Sequence, residues 1–566
     1  MTGILPRIRM PLFGAFSQLP GASLWVLFIS VAAGLAAGAS SAGLLAVINN
    51  SLSEGERAGP LSVAAYFFLC VLMLAAGILS EVLVLRLTQN ILFDVRRWLT
   101  RRILSVPLQQ LQTFGPHRLM ASLTDDIGNV AHAYHVLPVL FIEGSIALGG
   151  IIYIAWLSSL LFVILLIFLA LGLTLFLIAQ HWSLRYLRHA READDTLFGH
   201  FRALTEGSKE LKMDACRRRA FLNDELSVTA GKIRKCFNTG LTIYVFAAYG
   251  SKLLFFIAIG AVLFVPDLIH GATEDAARGW TLSILFIMGP IETIANTLPA
   301  LGQGSVALRK IEALALTMTE EKLIENDSAI PIVQKQPGML QLAGVSHRYP
   351  SDNGEQEFTL GPIDLRIDPG ELVFVTGGNG NGKTTLAFLL LGLFKPEKGE
   401  IILDGKPICD AGRDEYRQNF AAVFADAFVF DSLLGYRGSH AVEQARSLLV
   451  QFQLDHKLSI KNGRFSTVDL SRGQRKRLAL LAALIEDRPF YLFDEWAAEQ
   501  DPIFREIFYT TILSQLKARG KTIIVITHDD RYYHLAGRVL CLNAGEIEVA
   551  GSTGGAYRDR RKPAAL

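Results

Sequence analysis

The stretch Gly377-Gly378-Asn379-Gly380-Asn381-Gly382-Lys383-Thr384-Thr385 decides how the second half of this chain folds. It satisfies G-x-x-x-x-G-K-[ST] at every position. The run before it, Glu371-Leu372-Val373-Phe374-Val375-Thr376, predicts a buried strand, and Leu386 to Leu391 after it predicts a helix. Glycines let such a loop turn its N–H groups onto phosphate oxygens, and the helix N-terminus adds positive potential. Lys383 is placed to neutralise the β- and γ-phosphates, and Thr384 to put its hydroxyl on Mg²⁺. ATP and Mg²⁺ are therefore the expected ligands. A glycine-rich turn with a chance lysine is the alternative, and the flanking strand and helix argue against it.

Working outward, other strand ends carry side chains that phosphoryl chemistry needs. Pro489-Phe490-Tyr491-Leu492-Phe493-Asp494-Glu495 is an apolar strand closing on two carboxylates. Such a strand delivers its terminal residues to the loop edge where phosphates sit. Asp494 is read as a Mg²⁺ holder, and Glu495 as the group that orients or deprotonates the attacking water. His528 follows a second apolar strand, Thr522 to Thr527, in reach of a γ-phosphate. Ser471-Arg472-Gly473-Gln474 opens a helix expected over Leu478 to Ile485, and makes a second anion-binding surface. Tyr349 presents a ring that suits either adenine stacking or packing. Strand runs at Met339–Ala343 and Phe358–Ile367, alternating later with helical stretches, complete an α/β pattern.

The first half is different in kind. The chain has 566 residues, of which 51% are hydrophobic, and that excess sits in its first 300 residues. Six apolar runs predict spanning helices: about Ala22–Ile48, Leu61–Leu87, Leu137–Trp156, Ser158–Ala179, Leu241–Pro266 and Trp280–Leu301. Each approaches or exceeds the roughly 20 residues that cross a bilayer. Arg7 and Arg9 precede the first run, but that run is too long for a cleaved signal segment. The net charge of +2 gives no case for nucleic acid. Five scattered cysteines, with no C-x-x-C pair, suggest neither a disulfide framework nor a metal site.

Arginine and lysine crowd two interspan segments, including Arg96, Arg97, Arg101, Arg102 and Arg118 in one and Arg185 to Lys235 in the other. The opposite loops hold only Arg57 and Arg278. Positive charge stays on the cytoplasmic side, so both long segments and both termini are expected there. Their helical periodicity predicts spans that continue past the bilayer and turn near Gly115–Asp126 and Glu206–Met213. Glu81, Glu143, Lys252 and Glu292 are ionisable groups inside apolar spans. Cargo contact and structural polar contact both account for them. A polar stretch with Pro331 and Pro337 marks a boundary, giving expected domains of 1–317 for the membrane part, 318–338 for the linker and 339–566 for the ATP-binding part.

Together these motifs resemble the ATP-binding cassette (ABC) transporters over essentially the whole chain. Gly377–Thr385 matches the Walker A loop, and Leu470-Ser471-Arg472-Gly473-Gln474 is similar to the signature motif. Asp494-Glu495 matches Walker B with the catalytic glutamate, Asp501 the D-loop aspartate, His528 the switch histidine and Tyr349 the adenine-stacking aromatic. The resemblance implies an exporter-type half-transporter: an α-helical six-span domain fused to an α/β P-loop NTPase domain. It also implies a homodimer, with each ATP held between Walker A of one copy and the signature of the other. Two positions depart from the pattern. Arg472 replaces the usual first glycine of the signature, and Ala425 stands in the place of the Q-loop glutamine, with Asp426 a candidate substitute toward Mg²⁺.

Phe424-Ala425-Asp426, Leu470 to Arg477, Phe493 to Asp501, Thr527-His528-Asp529-Asp530 and Leu204 to Lys212 resemble the bacterial cyclic-peptide exporter subfamily. Its members handle syringomycin-like lipopeptides, pyoverdine-type siderophore precursors and microcin J25. The resemblance implies ATP-driven export of such a peptide. No peptidase-like Cys/His segment precedes the first span, so leader cleavage is not expected. Export of another amphipathic molecule or lipid, or a membrane-bound ATPase sensor without cargo, are the readings that compete.

Overall fold

The computed structural model describes residues 24–53, 60–264, 274–319, 321, 336–348, 358–436 and 438–550. Tyr349, most of the linker and the basic C-terminal tail lie outside them. The described residues fall into two compact units, one of residues 1–100 and 120–315, the other of 101–119 and 316–566.

In the first unit, six helices are long and apolar enough to cross a membrane: Trp25–Leu52, Pro60–Leu104, Arg118–Leu157, Ser159–Glu206, Ala215–Phe264 and Ala277–Thr317. We call them spans 1 to 6. Several run 40 residues or more, well beyond the length a bilayer demands, as the periodic polar segments predicted. Spans 3 and 4 are separated by Ser158 alone.

Close packing between spans depends on small residues, because lipid offers no hydrophobic drive to bring helices together. A Cβ on Gly38 of span 1 would lie 2.1 Å from the Ser145 Cβ of span 3. One on Gly149 of span 3 would lie 2.4 Å from the Ala42 Cβ. Spans 1 and 2 exchange a reciprocal pair, Ser30 Oγ to the Ser80 carbonyl at 3.0 Å and Ser80 Oγ to the Ser30 carbonyl at 2.9 Å. Spans 4 and 5 are pinned where Ser183 Oγ donates to the Gly240 carbonyl at 2.7 Å. A dry cluster of Ile154, Leu161, Leu165, Ala258, Ile259, Val262, Trp280, Ile284 and Ile287 joins spans 3 to 6 near the loop between spans 5 and 6.

The second interspan turn falls at Gly207–Asp214, close to its expected place. The first turns at Gly115, the start of its expected stretch, after the chain breaks at Ser105–Pro107 and forms a short helix Leu108–Phe114. Residues Ser122–Asp126, expected in the turn, instead form a π-helical bulge continuing into span 3. The break is set by Pro107, which cannot extend the preceding helix and starts the short one.

The second unit holds a six-stranded sheet in the order β12-β11-β3-β10-β9-β6 and an antiparallel sheet in the order β2-β1-β4-β5. The strands are β1 Leu340–Arg348, β2 Thr359–Ile367, β3 Leu372–Gly377, β4 Lys398–Leu403, β5 Lys406–Pro407, β6 Phe420–Val423, β7 Ile460–Lys461, β8 Arg464–Phe465, β9 Phe490–Asp494, β10 Thr522–Ile526, β11 Arg538–Asn543 and β12 Glu546–Ala550. Strands β11, β3, β10, β9 and β6 run parallel, and β9 and β10 are buried at every residue. Such continuous apolar runs are what a sheet covered on both faces requires. The short segment 101–119 belongs to this unit. Leu108 packs against its core, and Gln110 pairs with Thr319 through both amide ends, Nε2 to Oγ1 at 2.8 Å and the Thr319 N–H to Oε1 at 3.0 Å.

Candidate functional site

Register explains why distant motifs meet. Ile526 of β10 pairs with both Val375 of β3 and Asp494 of β9. The C-terminal ends of three adjacent parallel strands therefore stand level. They deliver the glycine loop, the Asp494-Glu495 pair and Thr527-His528 to one edge.

The loop leads into helix Lys383–Leu390, with Gly382 at its start in the left-handed region, φ 93°. Gly377 cannot carry a side chain, since a Cβ there would lie 2.3 Å from the Leu542 carbonyl oxygen. Lys383 is buried, and its Nζ donates to the carbonyls of Gly377 at 3.1 Å and Gly378 at 3.0 Å. It also lies 3.8 Å from Glu495 Oε1. The lysine thus braces the loop that it would serve. Thr384 Oγ1 donates to Asp494 Oδ2 at 3.3 Å. Asp494 is 1% exposed. Burial first, and the neighbouring Glu495 carboxylate second, push its carboxyl up to about 6.

Glu495 sits at φ 46°, a strained position for a residue with a Cβ, and its N–H is held by the Ile526 carbonyl at 3.0 Å. Its side chain pairs with His528, Nε2 to Oε1 at 3.2 Å. A hydroxyl, an ammonium, backbone N–H groups at a helix start and a buried carboxylate form the donor set that a magnesium nucleotide takes. The structure brings Lys383, Thr384, Asp494, Glu495 and His528 together. Ala425 and Asp426 follow β6, whose last residue pairs with Phe493 of β9. Asp426 is exposed and makes no hydrogen bond or ion pair with the described residues.

Helix Arg472–Glu486 opens on a capping box: Gln474 N–H to Ser471 Oγ at 3.3 Å, and Ser471 N–H to Gln474 Oε1 at 3.2 Å. Gly473 is small for a packing reason, because a Cβ there would lie 2.9 Å from the Glu499 carbonyl oxygen. Its own carbonyl accepts from Gln500 Nε2 at 3.0 Å. The Arg472 side chain is 85% exposed and lies 3.7 Å from Glu499. Asp501 caps helix Pro502–Glu506 by accepting from the Phe504 N–H at 2.9 Å. That bond, with Arg477 beside it, holds its carboxyl below the usual range.

Two residues beyond the five-residue motif also belong to the site. Buried Lys476 donates from Nζ to the Glu495 backbone carbonyl at 3.0 Å, so the helix that opens at Ser471 holds the backbone of the candidate base. Arg477 pairs with Asp501, bonds Gln500 Oε1 at 2.9 Å, and lies 3.9 Å over the Phe504 ring. The basic run Arg475-Lys476-Arg477 was the available signal. Sequence alone does not say which of its members turn inward.

Comparison with known proteins agrees with this geometry. The ABC transporter family matches residues 360–498, and the ABC transporter transmembrane region matches residues 24–213. The chain is 33% identical to the ATP-binding protein SyrD of Pseudomonas syringae pv. syringae, over 92% of this chain and 94% of that one. It is 27% identical to an ATP-dependent lipid A-core flippase of Bordetella avium, over 92% and 90%. Its fold is similar to that of a bacterial Atm1-family ABC exporter solved with ATP bound, at a TM-score of 0.70 and 16% identity, over 92% and 93% of the two chains. At that identity the likeness shows the fold alone.

Proposed function

The chain belongs to the ABC transporter family, as an exporter half with its membrane and ATPase parts fused, and on that premise we propose that it exports a cyclic peptide, lipopeptide or peptide siderophore precursor. The protein is a multi-pass membrane ATPase coupled to translocation. The peptide reading rests on one observation. Identity to SyrD is 33%, against 23–27% for the lipid A-core flippases at comparable coverage. The departures at Ala425-Asp426 and Arg472 point to the same subfamily. A second reading, movement of a lipid, is favoured by those flippase relatives.

In this reading two copies form a homodimer in the bacterial inner membrane, with the ATPase parts cytoplasmic. Walker A of one copy and Ser471 to Gln474 of the other hold each ATP, and closure of the pair turns the membrane cavity outward. Lys383 would leave its loop carbonyls for the β- and γ-phosphates, while Thr384 and Asp494 would hold Mg²⁺, with Asp426 a further candidate. When bound, the ion offsets phosphate charge. Glu495 would take a proton from the attacking water, and His528 would steady its carboxylate oxygen. Asp501 would act at the dimer face and Tyr349 at adenine.

Inside-out vesicles test this reading. They should take up a fluorescent cyclic lipopeptide only with ATP, and should not speed the flipping of labelled lipid. ATP-dependent lipid flipping without peptide uptake would overturn the peptide reading in favour of the lipid one.

A further inference from the structure

Lys252 of span 5 and Glu292 of span 6 form an ion pair, Nζ to Oε1 at 3.0 Å. Both sit deep in apolar sequence. Lys252 lies twelve residues before the helix end at Phe264, and Glu292 twelve residues after the buried Trp280. At helical rise each distance is about 18 Å, near the middle of a bilayer.

Charges at that depth are costly unless paired or facing water. A pair serving only to join two helices is expected to be buried between them. This one is not: the side chains are 35% and 36% exposed. The seam around them changes character along its length. Toward the C-terminal end of span 5 it is apolar, with Ala258, Ile284 and Ile287 fully buried. Away from that end it turns polar, and Tyr244 Oη donates to Asn296 Oδ1. The Tyr249 ring lies 5.4 Å from Lys252 Nζ and is itself 67% exposed. Glu292 and Asn296 fall between Pro290 and Pro299, each of which removes one rung of the helix ladder. The polar half of the seam is therefore built on the loosened part of span 6.

We propose that Lys252, Glu292, Tyr244, Tyr249 and Asn296 form a cargo subsite that takes a zwitterionic group of an amphipathic peptide. The ligand carboxylate would replace Glu292 on Lys252, and the ligand ammonium would replace Lys252 on Glu292, beside the tyrosine rings. Opening the internal pair exposes two charges at once, so a ligand with only one charge leaves the other without a partner. The subsite thus prefers ligands that carry both. This inference rests on the peptide-export reading above.

Three dansylated versions of one cyclic amphipathic peptide with a single lysine and a single glutamate side chain test it against the full-length dimer in nanodiscs: zwitterionic, with the glutamate side chain amidated, and with the lysine side chain acetylated. Wild type should bind the zwitterion about tenfold tighter than either derivative, the worth of one charge-assisted hydrogen bond. In K252Q the amidated form should bind as well as the zwitterion, and in E292Q the acetylated form should do so. The swapped variant K252E/E292K keeps both charges and should keep the zwitterion preference, which guards against a folding defect in the single variants. Identical ratios among the three peptides in every protein would overturn the subsite while leaving peptide export intact. No binding of any version to wild type would overturn the peptide reading, and the subsite with it.

Discussion

The two halves of this chain use polar side chains in opposite ways. In the ATPase unit they are buried and reach across the fold: Tyr416 to the Leu390 carbonyl, Lys476 to the Glu495 backbone, Tyr509 to Thr527 at 2.6 Å. In the spans most hydroxyls return to their own helix, four residues back, as Ser40 does to Ala36, Ser145 to Phe141 and Ser283 to Gly279. The difference follows from the solvent. Lipid offers no partner, so a span satisfies its groups internally. Helix contacts are then specified chiefly by size, with a few cross-span bonds such as Ser30–Ser80 and Ser183–Gly240. Chemistry is therefore encoded by residue type at a strand end in one half, and helix packing by the absence of side chains in the other.

The largest effect should come from the strand ends. Glu495→Gln should lower steady-state ATP turnover at least about 100-fold while nucleotide binding persists, as read by phosphate release and equilibrium binding. Appreciable residual hydrolysis would remove Glu495 from its role. The corresponding break in the spans is steric: Gly38→Leu should destabilise the protein by about 3 kcal/mol, lowering Tm, because its Cβ alone meets Ser145. An unchanged Tm would mean that spans 1 and 3 are not held by close approach.

Within the ATPase unit, burial should separate two arginine–aspartate pairs. Arg477→Ala should cost about 2 kcal/mol by thermal denaturation, and Arg477→Lys should restore only part of it. A lysine cannot keep Asp501, Gln500 and the Phe504 face together. The pair Arg464–Asp431, at 2.9 Å with side chains 67% and 61% exposed, is the control. Asp431→Asn should change stability by less than about 0.5 kcal/mol. Equal losses at the two sites would dissolve the distinction.

How much of this the sequence disclosed follows the same division. Walker A and the Asp494-Glu495 strand were legible because phosphate chemistry needs those residue types at neighbouring positions. The six spans were legible as length and apolarity. The first interspan turn was legible at Gly115, but not the earlier break at Pro107, nor that Ser122–Asp126 continue as a helical bulge. Lys476 and Arg477 escaped because their partners at Glu495 and Asp501 are about 20 residues away and meet them only once β9 is laid in the sheet. Lys252 and Glu292 were visible singly, but their pairing 40 residues apart is a property of the folded spans.

The central claim is that the strand-end chemistry of the ATPase unit drives cargo through the spans. The direct measurement is ATP-dependent accumulation of a fluorescent cyclic lipopeptide in inside-out vesicles, wild type beside Glu495→Gln. The account predicts accumulation against a gradient for wild type, and none beyond a single turnover for the variant. Equal sustained accumulation by the two would contradict it.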